Sequence, residues 1–261
     1  MNQDFIDELE LLTQQKLVAK PTGLGFLVGL NTSLTLHFIL LDNIKTNLNL
    51  LEWKVQHQLQ DAITIFEDEW LNKKAFVLSR IKSKLGLNTT VFARKTTIKK
   101  LNRSEAYDFL LANHINDALK AKYNFGLMLD NQIVAIACFG PIMHKKTEGK
   151  GDMSGELIRF CNKLDITVVG GLSKLLTHFI KTYQVDDVMT YIDRDWSDGK
   201  SFIQLGFEIV GENTRFTHHL NVKTNQFELV DDLSKNQLII CKSGSLKLLF
   251  KVKKIIWLKF F

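Results

Sequence analysis

The feature that constrains this chain most is a strand, a double-glycine turn and a helix in immediate succession: Val168-Val169-Gly170-Gly171-Leu172-Ser173-Lys174. An apolar run from Gly155 to Cys161 precedes it, a helical pattern from about Leu172 to Tyr183 follows, and Asp187 to Ile192 reads as the next strand. A strand ending at a glycine-rich turn exposes backbone N–H groups at a helix N-terminus. Those groups and the helix dipole bind phosphate or pyrophosphate. Gly170 and Gly171 permit close approach of a ligand to the backbone, and Ser173 and Lys174 add a hydroxyl and a charge. The spacing fits neither a Walker motif nor a dinucleotide fingerprint. On spacing alone, a plain tight turn reads the same way.

Around this unit the pattern predicts a mixed sheet. Val91 to Leu101 reads as a strand, and Ser104 caps a helix that turns Ala106, Phe109 and Leu110 inward. Tyr123 to Leu129 and Gln132 to Phe139 form a hairpin across Asp130-Asn131. Residues 141–153 form a polar loop, 197–205 a short helix stopped by Gly206, and later strands lie near 207–210, 215–222, 237–241 and 246–250.

The N-terminal part has a different rhythm. Phe5, Ile6, Leu9, Leu12 and Leu17 predict a helix over 4–17, broken at Pro21-Thr22-Gly23. A hairpin of 24–30 and 34–41 follows, then an amphipathic helix with Leu48, Leu51, Val55 and Leu59 inward, a buried strand at 62–66, and a helix to Leu85 that Gly86 closes. A boundary is placed near Asn88, giving a small α/β layer over 1–88 and a second domain over 89–261.

Among 261 residues, 45% are hydrophobic and two are proline, so the chain supports sizeable cores rather than long disorder. A net charge of +6 suits a polyanionic partner, an anionic cofactor, or mere solubility. Cys138, Cys161 and Cys241 are scattered through apolar runs, which predicts no disulfide and a reducing, cytoplasmic setting. No apolar run is long enough to span a membrane. The seven histidines show no metal-ligand spacing and are read as structural or surface residues. Lys95, Lys99 and Lys100, with Lys145 and Lys146 in the loop, are candidate nucleic-acid contacts, although a solvated face explains either cluster. Asp193 and Asp195 leave the strand after the helix and form an acid/base pair, half of a metal site, or a cap with its ion pairs.

Gly-Gly-Leu-Ser-Lys opening a helix, a strand beyond it, and Gln204-Leu205-Gly206-Phe207 closing a short helix together resemble the second half of the GNAT acyltransferase superfamily. The resemblance covers about residues 90–220. It implies that Val168, Val169, Gly170, Gly171, Ser173 and Lys174 cradle the pyrophosphate of acetyl-CoA or another CoA thioester. It also implies that Glu156, on the strand before the turn, is the catalytic base, with Asp193 as a second candidate. Val168 stands where the superfamily usually has Gln or Arg, which favours a non-catalytic module gripping a nucleic-acid phosphate. More specifically, Glu156 to Lys163, Val168 to Gly171, Tyr191 to Ser197 and Cys241 to Lys247 resemble a domain of phage and bacterial proteins found beside homing-type endonucleases, similar to DNA-modifying Mom-type relatives. Ile65-Phe66-Glu67-Asp68-Glu69-Trp70, with Lys73 and Lys74, resembles the end of a Vsr-like nuclease domain. The expected fold is therefore α/β, with a small restriction-endonuclease-like N-terminal layer and a GNAT-like mixed-sheet C-terminal domain. Asp42, Glu52 and Lys54 superficially offer nuclease chemistry, but the helical spacing puts Glu52 and Lys54 on an exposed face, so nuclease activity and a metal site are not expected.

Overall fold

The computed structural model describes residues 2–31, 34–116, 118–145, 152–213, 217–221, 226–229 and 238–252. The chain divides into two compact units. The first comprises Met1–Leu87, Ile192–Lys200 and Glu212–Leu246; the second comprises Asn88–Tyr191, Ser201–Gly211 and Lys247–Phe261. The chain thus returns to the first unit twice after residue 88, where the sequence suggested a single cut.

The first unit opens with α1 (Gln3–Thr13), which the Asn2 side chain caps by accepting from the Phe5 N–H. Gln14 turns left-handed (φ 55°) and stops the helix before Leu17. Strands β1 (Ala19–Pro21), β2 (Gly25–Gly29) and β3 (Thr35–Ile39) form an antiparallel meander. After the two-residue β4 (Leu48–Asn49) and α2 (Leu50–Gln56), β5 (Ile63–Phe66) joins β3 in parallel. Helix α3 (Glu67–Leu85) follows, with three acids in its first turn and Gly86 (φ 72°) at its end. An aromatic knot holds the layer: Phe5 lies 4.5 Å from Phe38 and 4.8 Å, edge-on, from Trp70. Burying such rings contributes about 1.5–3 kcal/mol each.

The second unit begins with β6 (Thr89–Phe92) and β7 (Thr97–Lys100). The single strand expected over 91–101 is broken by a 3-10 turn at Ala93–Lys95. Helix α4 (Arg103–Asn113) is capped by Asn102, not Ser104. Asn102 and Glu105 each accept the other's backbone N–H, a reciprocal box that Ser104, already inside the helix, cannot make. Strands β8 (Tyr123–Leu129) and β9 (Gln132–Phe139) meet at Asp130 and Asn131, with φ of 48° and 63°, as a primed hairpin turn requires. Next come β10 (Met143–Lys145), β11 (Asp152–Asn162), β12 (Ile166–Val169), α5 (Gly171–Tyr183), β13 (Asp187–Asp193), α6 (Lys200–Gln204) and β14 (Glu208–Asn213). The remaining strands are β15 (Thr217–Asn221), β16 (Gln226–Leu229), β17 (Ile239–Cys241) and β18 (Ser245–Lys251). Strand β16 was not foreseen. Strands β15–β17 join β4 in a small sheet of order β16-β15-β17-β4.

The large sheet is mixed, of order β14-β18-β13-β11-β9-β8-β7. Strands β7, β8, β9 and β11 run antiparallel in succession, and β13 joins β11 in parallel. Helix α5 is fixed to this sheet by Phe179, whose ring stacks 3.9 Å from that of Phe139. Gly155 makes this possible, since a Cβ there would stand 2.6 Å from the Phe179 ring. Strand β12 leaves the sheet and pairs in parallel with β6 as a separate ribbon. Among the described residues, no cysteine forms a disulfide and no helix is long and apolar enough to cross a membrane.

Candidate functional site

Strands β11 and β13 pair only from Ser154–Leu157 to Asp187–Thr190. At the last shared level the Thr190 hydroxyl donates to the Leu157 carbonyl, 2.8 Å away. Beyond it a bulge interrupts β11 between Leu157 and Arg159, and the strand continues against β9 alone. A bulge re-aims the backbone and releases ladder groups. The sheet therefore opens between two parallel strands, on the edges past Leu157 and Thr190.

Glu156 lies two residues before the bulge. Its carbonyl accepts from the Gly140 N–H at 2.9 Å. Its side chain is half-buried and has no hydrogen-bonding or ionic partner among the described residues. A Cβ on Gly140 would come within 3.6 Å of Oε2, so glycine there leaves room beside the carboxylate. Glu156 is in register with Met189. Asp193 is four residues farther along β13 and belongs to the first unit. Asp193 Oδ1 instead accepts from the Asp195 N–H at 2.9 Å, and its carbonyl accepts from the N–H groups of Trp196 and Ser197. That is the work of a turn-forming aspartate.

At the double-glycine turn, Gly170 (φ 76°) precedes the thirteen-residue α5. A Cβ on Gly170 would meet only Ala93, at 3.7 Å, whereas one on Gly171 would crowd Val168 at 3.1 Å and Leu127 at 3.3 Å. A valine at 171 would therefore disturb packing as well as any ligand. The first-turn N–H groups of a helix lack intrahelical acceptors, and Val169, Gly170 and Ser173 leave this end open to solvent. Two expected contributors do not face outward. The Val168 side chain is buried against the turn. Lys174 Nζ is committed to the Ala93 carbonyl at 2.8 Å, the Thr96 carbonyl, and the Thr96 hydroxyl at 3.4 Å. Its charge locks the 3-10 turn onto α5 instead of pointing at the turn's mouth.

Of the expected nucleic-acid lysines, Lys95 and Lys100 are exposed, while Lys99 is paired with Glu105 at 2.8 Å. Lys145 contributes backbone to β10, and Lys146 lies outside the described residues.

The first unit contains a cluster that the sequence reading missed. Lys54 is 1% exposed, not on a solvent face. Its ammonium donates to the Ala62 carbonyl at 2.8 Å and the Thr64 hydroxyl at 3.1 Å, and lies 4.0 Å from Asp195 Oδ1. Asp195, 4% exposed, accepts from the Ser243 N–H through Oδ2 at 3.3 Å. Burial lowers the Lys54 pKa and raises that of Asp195, and the attraction across 4.0 Å does not offset it. The available signal was the four-residue spacing from Leu50, which is also buried; Val55, chosen as inward, is exposed.

Nearby, His37 is fully buried between Thr22, 3.1 Å from Nε2, and the Trp53 ring at 5.1 Å. Burial, with Lys54 and His57 adding repulsion, brings its pKa down to about 4. A cavity of about 520 Å³ in this unit is lined by Asp61, Lys84, Asp195, Trp196, Asp198 and Lys200 among others. Its mixed charges select neither anion nor cation. Asp42 and Glu52 are exposed, β2 and β3 carry no carboxylate, and no group of described residues could hold a metal.

No family model matches the chain, and no curated protein matches it. Among solved structures, a Bacillus subtilis acetyltransferase in complex with CoA aligns with 60% of this chain and 99% of its own, at 12% identity and a TM-score of 0.39. The Escherichia coli ribosomal-protein-S18-alanine N-acetyltransferase aligns with 64% of this chain and 99% of its own, at 13% identity and a TM-score of 0.41. A GNAT family acetyltransferase from Elizabethkingia anophelis with acetyl-CoA bound aligns with 60% of this chain and 99% of its own, at 14% identity and a TM-score of 0.39. At these scores the likeness carries no weight by itself beside the geometry of the sheet, the bulge and the turn.

Proposed function

We propose that the second unit is a GNAT-like acyltransferase that takes its acyl group from acetyl-CoA or another CoA thioester. The observation that carries this reading is the parting of β11 from β13 past Leu157, next to Glu156, which has no partner among the described residues. The donor set suits CoA. The bulge parts β11 from β13 past Leu157 and Thr190, and an extended, amide-bearing arm would enter there as a strand adds to a sheet edge. N–H groups at the start of α5 suit a pyrophosphate. When bound, a CoA thioester supplies an activated acyl carbon. Glu156 then serves as general base, accepting the proton of an amine or hydroxyl acceptor at a carboxylate oxygen.

The acceptor that the sequence resemblance favours is a nucleic-acid base, as in DNA modification by a phage-related enzyme. In the same reading the 1–88 layer is a degenerate Vsr-like nuclease fold used for binding or packing. The alternative is a non-catalytic nucleic-acid-binding module whose turn grips a backbone phosphate. The apolar, buried Val168 and the exposed Lys95 and Lys100 favour that reading.

Thermal unfolding with acetyl-CoA separates the two. At a hundred times its Kd the ligand stabilises by about 2.7 kcal/mol. Ser173→Glu, an exposed change that puts a carboxylate where the pyrophosphate would lie, abolishes the shift. An unchanged melting temperature in wild type defeats the transferase reading.

A further inference from the structure

The cavity of about 520 Å³ in the first unit holds two charges that no partner answers among the described residues. Arg194 and Lys200, which line it, are spoken for: Arg194 donates to Glu212 and Lys200 to Asp198, each at 2.7 Å. Lys84 and Asp61 line it too and are exposed. Neither has a hydrogen-bonding or ion-pair partner among the described residues, and they do not reach each other. Lys84 stands among cations. Arg80, one helical turn earlier on α3, lies over the Trp196 ring at 4.1 Å. Partial burial, then repulsion from Arg80 and Lys200, lower the Lys84 pKa. Leu34, Ile63 and Leu246, each at most 9% exposed, supply an apolar wall. This wall is fixed from behind, because the Thr64 N–H donates to the Asp195 carbonyl and the Lys54 ammonium to the Ala62 carbonyl, both at 2.8 Å. One cavity thus presents an ammonium, a carboxylate and an apolar surface on rigid elements.

We propose that this cavity binds a nucleotide whose base carries an exocyclic amine, such as cytosine. A carboxylate accepts from that amine and repels the carbonyl oxygen that uracil has in its place. Asp61 reads that edge. The base lies against Leu34, Ile63 and Leu246, since apolar side chains pack on the faces of an unstacked base. The phosphate meets Lys84, because lysine is a common phosphate donor. A phosphate monoester carries nearly two negative charges, which answer an ammonium crowded by Arg80 and Lys200 better than one carboxylate does. A simple anion would leave Asp61 facing it, and a simple cation would face Lys84. The volume lies within the range of about 300–1,000 Å³ that small-molecule sites occupy. A free nucleotide and the 5′-phosphorylated end of a single strand offer the same chemistry.

Calorimetric titration of wild type, Asp61→Asn and Lys84→Gln with CMP, UMP, cytidine and inorganic phosphate tests this. Both side chains are exposed, and unchanged melting temperatures verify the fold. Wild type should bind CMP about tenfold more tightly than UMP, equivalent to about 1.4 kcal/mol. Asp61→Asn should bind the two alike, since a carboxamide serves either edge. Lys84→Gln should weaken CMP binding about tenfold and leave cytidine unchanged. A 5′-phosphorylated oligo(dC) that binds through Asp61 and Lys84 more tightly than CMP makes a strand end the ligand; weaker binding than CMP makes it the free nucleotide. No CMP binding at millimolar concentration, equal affinity of wild type for CMP and UMP, or CMP binding that neither substitution changes overturns the assignment. Inorganic phosphate that binds as tightly as CMP reduces the cavity to an anion site and overturns it as well.

Discussion

The two units use their polar groups in opposite ways. In the first, Lys54, Asp195 and His37 are buried and held among fixed neighbours. In the second, Glu156 has no partner among the described residues, and the α5 N-terminus faces solvent at Gly170 and Ser173. A buried charge is costly to create and rigid once its neighbours are fixed around it. An unpartnered carboxylate beside a sheet opening is available to a ligand. The contrast separates structural polarity from candidate chemistry without any reference to residue type. Lys54, which superficially suggested a nuclease, falls on the structural side.

The largest test of the contrast is Lys54→Ala. It leaves Asp195 buried without its cation and removes the bonds to Ala62 and Thr64. The expected loss is about 3–5 kcal/mol in urea unfolding. Adding Asp195→Asn to Lys54→Met should recover part of it, because no uncompensated charge then remains. A single-mutant loss under 1 kcal/mol would place this pair with the surface ion pairs.

His37 gives the next effect, and its sign is fixed. The folded value of about 4 lies below the ordinary 6.5, so the unfolded chain binds the proton more readily. The stabilisation is complete above about pH 6.5 and is lost as pH falls toward 4, by about 3 kcal/mol. The measurement is the difference between wild type and His37→Phe across that window. Asp195 and Glu69, both raised by burial, act in the opposite sense and cancel in the difference. Equal pH dependence in the two proteins would mean that His37 takes up its proton alike in the folded and unfolded states.

In the second unit, Glu156→Gln should leave CoA binding and melting temperature nearly unchanged and lower turnover by about a hundredfold or more. Loss of stability with no loss of turnover would move Glu156 to the structural side. A substrate screen of amine and hydroxyl acceptors precedes this test.

What the sequence revealed follows from local rules. The Asp130-Asn131 turn, the Gly86 stop and the succession of turn, α5 and β13 depend on residues a few positions apart. Glu156 lies on β11 as read, but the strand that runs into the turn is the separate β12. What stayed hidden depends on distant partners. Apolar spacing marks inward positions but does not reveal that a buried carbonyl, hydroxyl and carboxylate await an ammonium at Lys54. The Lys174 bonds to Ala93 and Thr96 span about eighty residues of sequence, so the residue looks like free charge until the fold is known. Likewise, β13 reads as one strand although its last two residues belong to the other unit.

The smallest effect distinguishes lysines within one short segment. Lys99 is held by Glu105, whose carboxylate also closes the cap of α4, whereas Lys100 has no partner among the described residues. If the chain binds duplex DNA through this surface, each lysine that truly contacts phosphate releases a counterion. Replacing it then reduces the slope of log K against log salt by about 0.9. Lys100→Gln should show that change. Lys99→Gln should not, because its charge is already neutralised by Glu105. Equal slope changes for both would mean that Glu105 yields Lys99 to the polyanion. No binding at about 50 mM salt, where phosphate contacts are screened little, would remove duplex DNA as a partner of this surface.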